Sequence, residues 1–109
     1  MVCSGKKLKW EEMDEVERRI DHTLSFIELG ADDEVTDIRE LKELVEVEVK
    51  EHLYDDVPCS DVKILEIRAK AGMLSVKFEC DGRKYVAKWR YSWVCTYQAL
   101  YSHLEQAEE

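Results

Sequence analysis

The hydrophobic period of this chain changes at Val62, and that change constrains what it can fold into more than any other feature. Before it, apolar residues recur every three or four positions. After it they alternate, so helices come first and strands follow. Trp10, Met13, Val16, Ile20, Leu24 and Ile27 form one stripe of an amphipathic helix, predicted over about 9–29, with Gly30 where a C-terminal cap belongs. Asp14–Arg18 and Glu15–Arg19 stand at i,i+4 spacing, which favours ion pairs on its wet face. Ile38, Leu41, Val45, Val49 and Leu53 make a second stripe, predicted as a helix over about 37–54. Asp37 and Glu40 have capping-box spacing, and Pro58 closes the segment. Inside it, Val45-Glu46-Val47-Glu48-Val49 also alternates like a strand, so residues 44–50 fit both periods. The longer helical pattern around them decides for helix.

Past Val62, Leu65, Ile67 and Ala69 share one face of a strand over 62–70. Leu74, Val76, Phe78 and Cys80 do so over 73–80, and Tyr85, Ala87, Trp89 and Tyr91 over 83–91. Ala71-Gly72 and Asp81-Gly82 separate these runs, and Asp-Gly between alternating segments is a good hairpin signal. The tail returns to helical spacing with Trp93, Tyr97, Leu100, Tyr101 and Leu104 behind a capping Ser92, which predicts a last helix over about 93–106. Most of the late aromatics fall on inward positions and are expected in the core. A length of 109 residues suits a single domain. The expected architecture is α+β in the order α-α-β-β-β-α: a three-stranded antiparallel meander packed on one face by helices. The β-β-β-α order from Val62 onward resembles the end of a double-stranded-RNA-binding domain. The resemblance is one of topology, because the lysine cluster that opens the last helix of such domains is replaced here by Ser92-Trp93-Val94-Cys95-Thr96-Tyr97.

Charge follows the same division. Residues 1–62 carry 8 Lys/Arg against 19 Asp/Glu, residues 63–90 carry 8 against 3, and residues 91–109 carry three Glu, within a net charge of −9. The helices are acidic and the strands basic, so each sign should own a face. Carboxylates spaced along a helix can imitate a phosphate backbone and occupy a basic groove on another protein. The candidate partner-binding residues on that acidic face are Glu11, Glu12, Glu15, Asp37, Glu40, Glu43 and Glu46. With the apolar strand positions turned inward, the other sheet face carries Glu66, Arg68, Lys70, Ser75, Lys77, Glu79, Lys84, Val86, Lys88 and Arg90. Its six cations, Arg68, Lys70, Lys77, Lys84, Lys88 and Arg90, are the alternative candidate site, for a polyanion such as RNA. That face carries no aromatic residue on which bases could stack.

Catalytic signatures are weak. His22, His52 and His103 are far apart and fit no metal-binding motif, and the four glycines are isolated, so no phosphate loop exists. Cys3, Cys59, Cys80 and Cys95 form no C-x-x-C pair; they are expected as reduced thiols, with Cys80 and Cys95 as small core fillers. A zinc site from Cys59, Cys80, Cys95 and His103 lacks paired ligand spacing. No run approaches the roughly 18 apolar residues of a membrane span, and no signal segment opens the chain. The expectation is a cytoplasmic protein without metal or cofactor, not an enzyme. Its expected role is that of an acidic regulator or inhibitor, a nucleic-acid mimic of the kind phages and mobile elements encode. It would bind a basic surface on a nucleic-acid-handling protein, with nucleic-acid binding by the sheet as the alternative.

Overall fold

The computed structural model describes residues 5–7, 10–27, 29, 35–56, 59–93 and 96–107. Its elements are β1 (Gly5–Lys7), a 3-10 turn (Trp10–Glu12), α1 (Glu15–Ser25), α2 (Ile38–Asp56), β2 (Val62–Lys70), β3 (Met73–Cys80), β4 (Arg83–Trp93) and β5 (Tyr97–Ala107). The strands make one antiparallel sheet in the order β1-β5-β4-β3-β2, four long strands and one short one. Both helices cover one face of it.

α1 starts later than the apolar stripe predicts because Asp14 stops the chain there. Its carboxylate accepts from the Glu17 amide at 2.8 Å, and the Glu17 carboxylate accepts from the Asp14 amide at 3.1 Å. This reciprocal capping box satisfies two donors that a helix start leaves open. Met13 is still buried, but it lies ahead of the helix. The Asp14 carboxylate reaches Arg83 Nη1 at 2.6 Å, and among the described residues Glu15 and Arg19 make no ion pair. α1 ends at Ser25, and Gly30 lies outside the described residues.

α2 runs unbroken through the ambiguous segment. Val45 and Val49 are fully buried while Val47 is 51% exposed. A strand would have turned all three the same way, so here the helical period wins over the local alternation. Asp37 accepts from the Arg39 amide at 2.8 Å at the helix entry, and Pro58 lies outside the described residues.

The three predicted strands are present with both hairpins. Ala71 and Gly72 have φ of 54° and 79°, and Asp81 and Gly82 have 49° and 89°. Two consecutive positive-φ residues give the tight turn whose twist matches the flanking strands. Two β-bulges correct the register read from sequence. In β2, Ile64 pairs with Phe78 and Glu66 with Lys77, so Leu65 is the extra residue and is 44% exposed. Val62 and Ile64 take the inward positions in its place.

The predicted third helix is a strand. In β5, Lys88 pairs with His103 and Trp89 with Tyr101, which makes Ser102 the extra residue of a second bulge. Tyr97, Ala99 and Tyr101 therefore face the helices at a spacing of two, and Leu104 follows after a step of three. Read along the chain, Tyr97, Tyr101 and Leu104 imitate a helical stripe, but Leu100, which would complete it, is 62% exposed. Tyr-rich sequence suits a pleated, half-buried surface better than a helix. With β5 a strand, the β-β-β-α likeness to a double-stranded-RNA-binding domain disappears.

The core lies between the sheet and the helices. Leu74, Val76 and Phe78 of β3, Tyr85, Ala87 and Trp89 of β4, and Ala99 and Leu104 of β5 pack against Ile20, Leu24, Leu41, Val45, Val49 and Leu53. Trp89 is fully buried and donates its indole N–H to the Ile27 carbonyl at 3.3 Å. Most of the late aromatics are at least partly buried, but Trp93 is 58% exposed. Cys59 and Cys80 are joined in a disulfide, which overturns the expectation of reduced thiols at these two positions. The cue lay in the predicted hairpin itself, which brings the start of β2, and with it Cys59, beside Cys80 at the end of β3. Cys3 and Cys95 lie outside the described residues. No helix among the described residues is long and apolar enough to cross a membrane.

Candidate functional site

Strand alternation builds the outer sheet face, and register sorts its charges into rows. Glu66, Lys77, Val86 and Glu105 form one row; Arg68, Ser75, Lys88 and His103 the next; Lys70, Met73, Arg90 and Leu100 the third. All six predicted cations lie on this face, and the Leu65 bulge keeps Arg68 and Lys70 in phase with the others. Arg68 is held by Glu66 at 2.8 Å. Lys70, Lys77, Lys88 and Arg90 make no ion pair or hydrogen bond among the described residues. β5 adds a neighbour that the sequence reading had missed: His103 Nε2 lies 2.6 Å from Glu105 Oε2, and its Nδ1 lies 2.9 Å from Ser102 Oγ. Val86 is 4% exposed on this same outer face. Its register neighbours there are Lys77 and Glu105. The aliphatic stems of long charged residues can cover apolar surface in this way.

The acidic residues lie on the helical side, but they do not form one patch. Glu11 and Glu12 occupy the 3-10 turn, Glu15 opens α1, and Asp37 precedes α2. Glu40, Glu43 and Glu46 are exposed on α2. Glu43 and Glu46, with Lys42, Ile64, Leu65, Glu66 and Ile67, line a groove of about 320 Å3 between α2 and β2. Glu15 instead borders a larger groove of about 530 Å3 on α1. Sequence reasoning missed two apolar residues on the acidic helix, Val47 at 51% and Tyr54 at 64% exposure. Their spacing of seven, off the buried stripe, was the available signal.

Three contacts fix α1 against the sheet and so set these surfaces. Asp14 has a carboxyl held below its usual range by the Glu17 amide hydrogen bond and by Arg83. The Tyr85 hydroxyl donates to Glu17 Oε2 at 2.8 Å; burial, then this bond, push its pKa up to about 12. The Tyr101 hydroxyl donates to Asp21 Oδ1 at 2.7 Å, and burial followed by that bond raises it well above the usual phenol value. A hydroxyl bonded to a carboxylate and shielded from water is more costly to ionise.

Among the described residues no three His, Cys, Asp or Glu side chains converge as a metal site would require. Of the four residues considered for zinc, Cys59 and Cys80 are consumed by their disulfide. Among the described residues the geometry therefore offers a basic sheet face, acidic helical surfaces, and grooves that include the one on α1 and the one between α2 and β2. Comparison with protein-family models, curated proteins and solved structures finds no significant match to this chain.

Proposed function

We propose that this protein is a non-enzymatic binding module that docks the outer face of α2 on a basic surface of another protein, acting as its regulator or inhibitor. The observation that carries this reading is the setting of Val47 and Tyr54. Both are exposed apolar side chains, one heptad apart, on a helix face shared with Glu40, Glu43, Lys50 and Glu51. Leu65, also exposed, extends the apolar surface across the groove lined by Glu43 and Glu46. Interfaces of this kind gain affinity from a few buried apolar or aromatic anchors, while the charged rim sets encounter rate and partner choice. A carboxylate-rich rim selects a cationic surface, and proteins that handle nucleic acid commonly present one.

The test begins with a photoreactive side chain at position 47 or 54, which captures the partner covalently in the host. The purified partner is then titrated with variants. Glu40→Lys/Glu43→Lys/Glu46→Lys should abolish binding, and Tyr54→Ala should weaken it by at least tenfold, both with unchanged melting temperature. A triple reversal that binds the same partner as tightly as the parent chain refutes the reading.

A second reading is favoured by four cations of the outer sheet face that make no ion pair among the described residues, Lys70, Lys77, Lys88 and Arg90. No two of them stand directly opposite in the register, but gathered on one face they still repel one another unless an anion answers them. A phosphate backbone would do so, with affinity falling steeply as salt rises. An electrophoretic titration with mixed RNA and DNA at two salt concentrations tests it. Arg68→Glu/Lys77→Glu/Lys88→Glu should remove any shift. A shift that is flat in salt, or that survives these reversals, eliminates it.

A further inference from the structure

The larger groove has a composition at odds with the layer that contains it. Its described lining is Glu15, Arg18, Arg19, His22, Thr23 and Phe26 from α1 and His52 from α2. The α1 positions recur at steps of three and one, a stripe beside the buried one made by Ile20 and Leu24. The first 62 residues carry 19 acidic side chains against 8 basic ones. Among the groove's described lining residues two arginines and two of the three histidines stand with one carboxylate. Arg19 is exposed and has no ion-pair partner among the described residues. Phe26 caps the C-terminal end of α1 with 70% of its surface exposed, its ring edge-on to His22 at 4.9 Å and 87°. The volume, about 530 Å3, falls within the range of small-molecule sites.

We infer that this groove binds a small aromatic carboxylate. Phe26, with the His22 ring beside it, offers a surface against which a flat ring packs. Arg19 offers the planar guanidinium fork that matches a carboxylate with two parallel hydrogen bonds. The acidic surroundings repel anions at a distance, so a compact monoanion with an apolar body suits the groove better than a polyanion. This site does not depend on the outer face of α2, so the partner-binding reading stands or falls separately.

The probe is 2-naphthoate, with 2-naphthamide as its neutral isostere, followed by NMR of the backbone amides and the aromatic and imidazole rings. Naphthoate should shift the Phe26, His22 and His52 resonances saturably at sub-millimolar to millimolar concentration. Naphthamide should bind at least fivefold more weakly. Arg19→Glu should weaken naphthoate at least tenfold and bring it close to naphthamide, while Phe26→Ala should weaken both. Both side chains are exposed, so thermal melts verify that the variants remain folded. The inference is overturned by any of three results: no saturable shift at low millimolar naphthoate, equal affinity for acid and amide, or shifts confined to the outer sheet face.

Discussion

Breaking the Cys59–Cys80 bond should cost this protein a large part of its stability, and the size can be worked from the chain. The two cysteines lie 21 positions apart, so the bond closes one loop of moderate length. Loop-closure entropy for a ring of this size is about 11 cal/mol/K, or about 3 kcal/mol at 25 °C. Little opposes that figure in the folded state. Both sulfur-bearing side chains are buried, at 4% and 2% exposure, so reduction removes no apolar packing. The Asp81 carboxylate accepts from the Ser60 and Asp61 amides at 3.0 and 2.9 Å and holds the same loop without the bond. The reduced chain should therefore keep its fold and lose stability through the greater freedom of its unfolded state. For a domain near this size each kcal/mol moves the midpoint by about 4–8 °C, so the melting temperature should fall by about 12–24 °C. The assay is thermal denaturation followed by circular dichroism, with and without reductant. Alkylation and mass measurement should count two more reactive thiols after reduction than before. Cys59→Ser/Cys80→Ser should reproduce the reduced value. If the fully reduced chain melts where the oxidised chain does, the loop-closure argument is wrong for this fold.

Alkali should unfold the protein by ionising the two tyrosines that tie α1 to the sheet. Tyr85 is raised from 10.0 to about 12 and Tyr101 shifts the same way, so the stability they lend is complete below about pH 10 and drains as pH rises through the folded value. Urea midpoints measured from pH 8 upward should fall above pH 10, and Tyr85→Phe should make that fall shallower. Asp14→Ala should cost about 1–2 kcal/mol by urea denaturation, since it removes a helix cap. Because the Asp14 pKa is lowered, its contribution is present above the usual 3.8 and lost as pH falls below it, so the variant should also show a weaker acid limb. Ala71 occupies a left-handed conformation with φ of 54°, where a Cβ is strained. Ala71→Asn should raise the melting temperature by a few degrees, corresponding to about 0.5–1 kcal/mol.

Most of the fold was legible because most of it is periodic. The apolar stripe of α2 and the alternation of β3 and β4 leave one possible inward face each. The Asp81-Gly82 turn was legible for a chemical reason, since few dipeptides accept two positive φ values. What misled were single-residue insertions. Ser102 shifts β5 by one position and turns an alternating pattern into a helical one, and Leu65 does the same on a smaller scale in β2. A bulge leaves no compositional mark, so only the partner strand reveals it. The Asp14–Glu17 box was visible in the sequence, but the apolar stripe running past it masked its meaning. The six cations share the outer face because within each strand they alternate with the buried or partly buried residues. The large groove was not legible, because it depends on α1 and α2 lying side by side, which brings His52 to the stripe of Arg18, Arg19 and Phe26.

The bulge at Leu65 has a further consequence, for how copies of this protein behave at high concentration. β2 is the outermost strand on its side of the sheet and runs for nine residues. A straight strand of that length offers a regular ladder of donors and acceptors on which another chain can crystallise into a continuous sheet. The extra residue breaks the ladder near its middle, and Lys63, Arg68 and Lys70 place like charges along the same rim. Deleting Leu65 would restore the ladder and should make this edge a better template for pairing between copies.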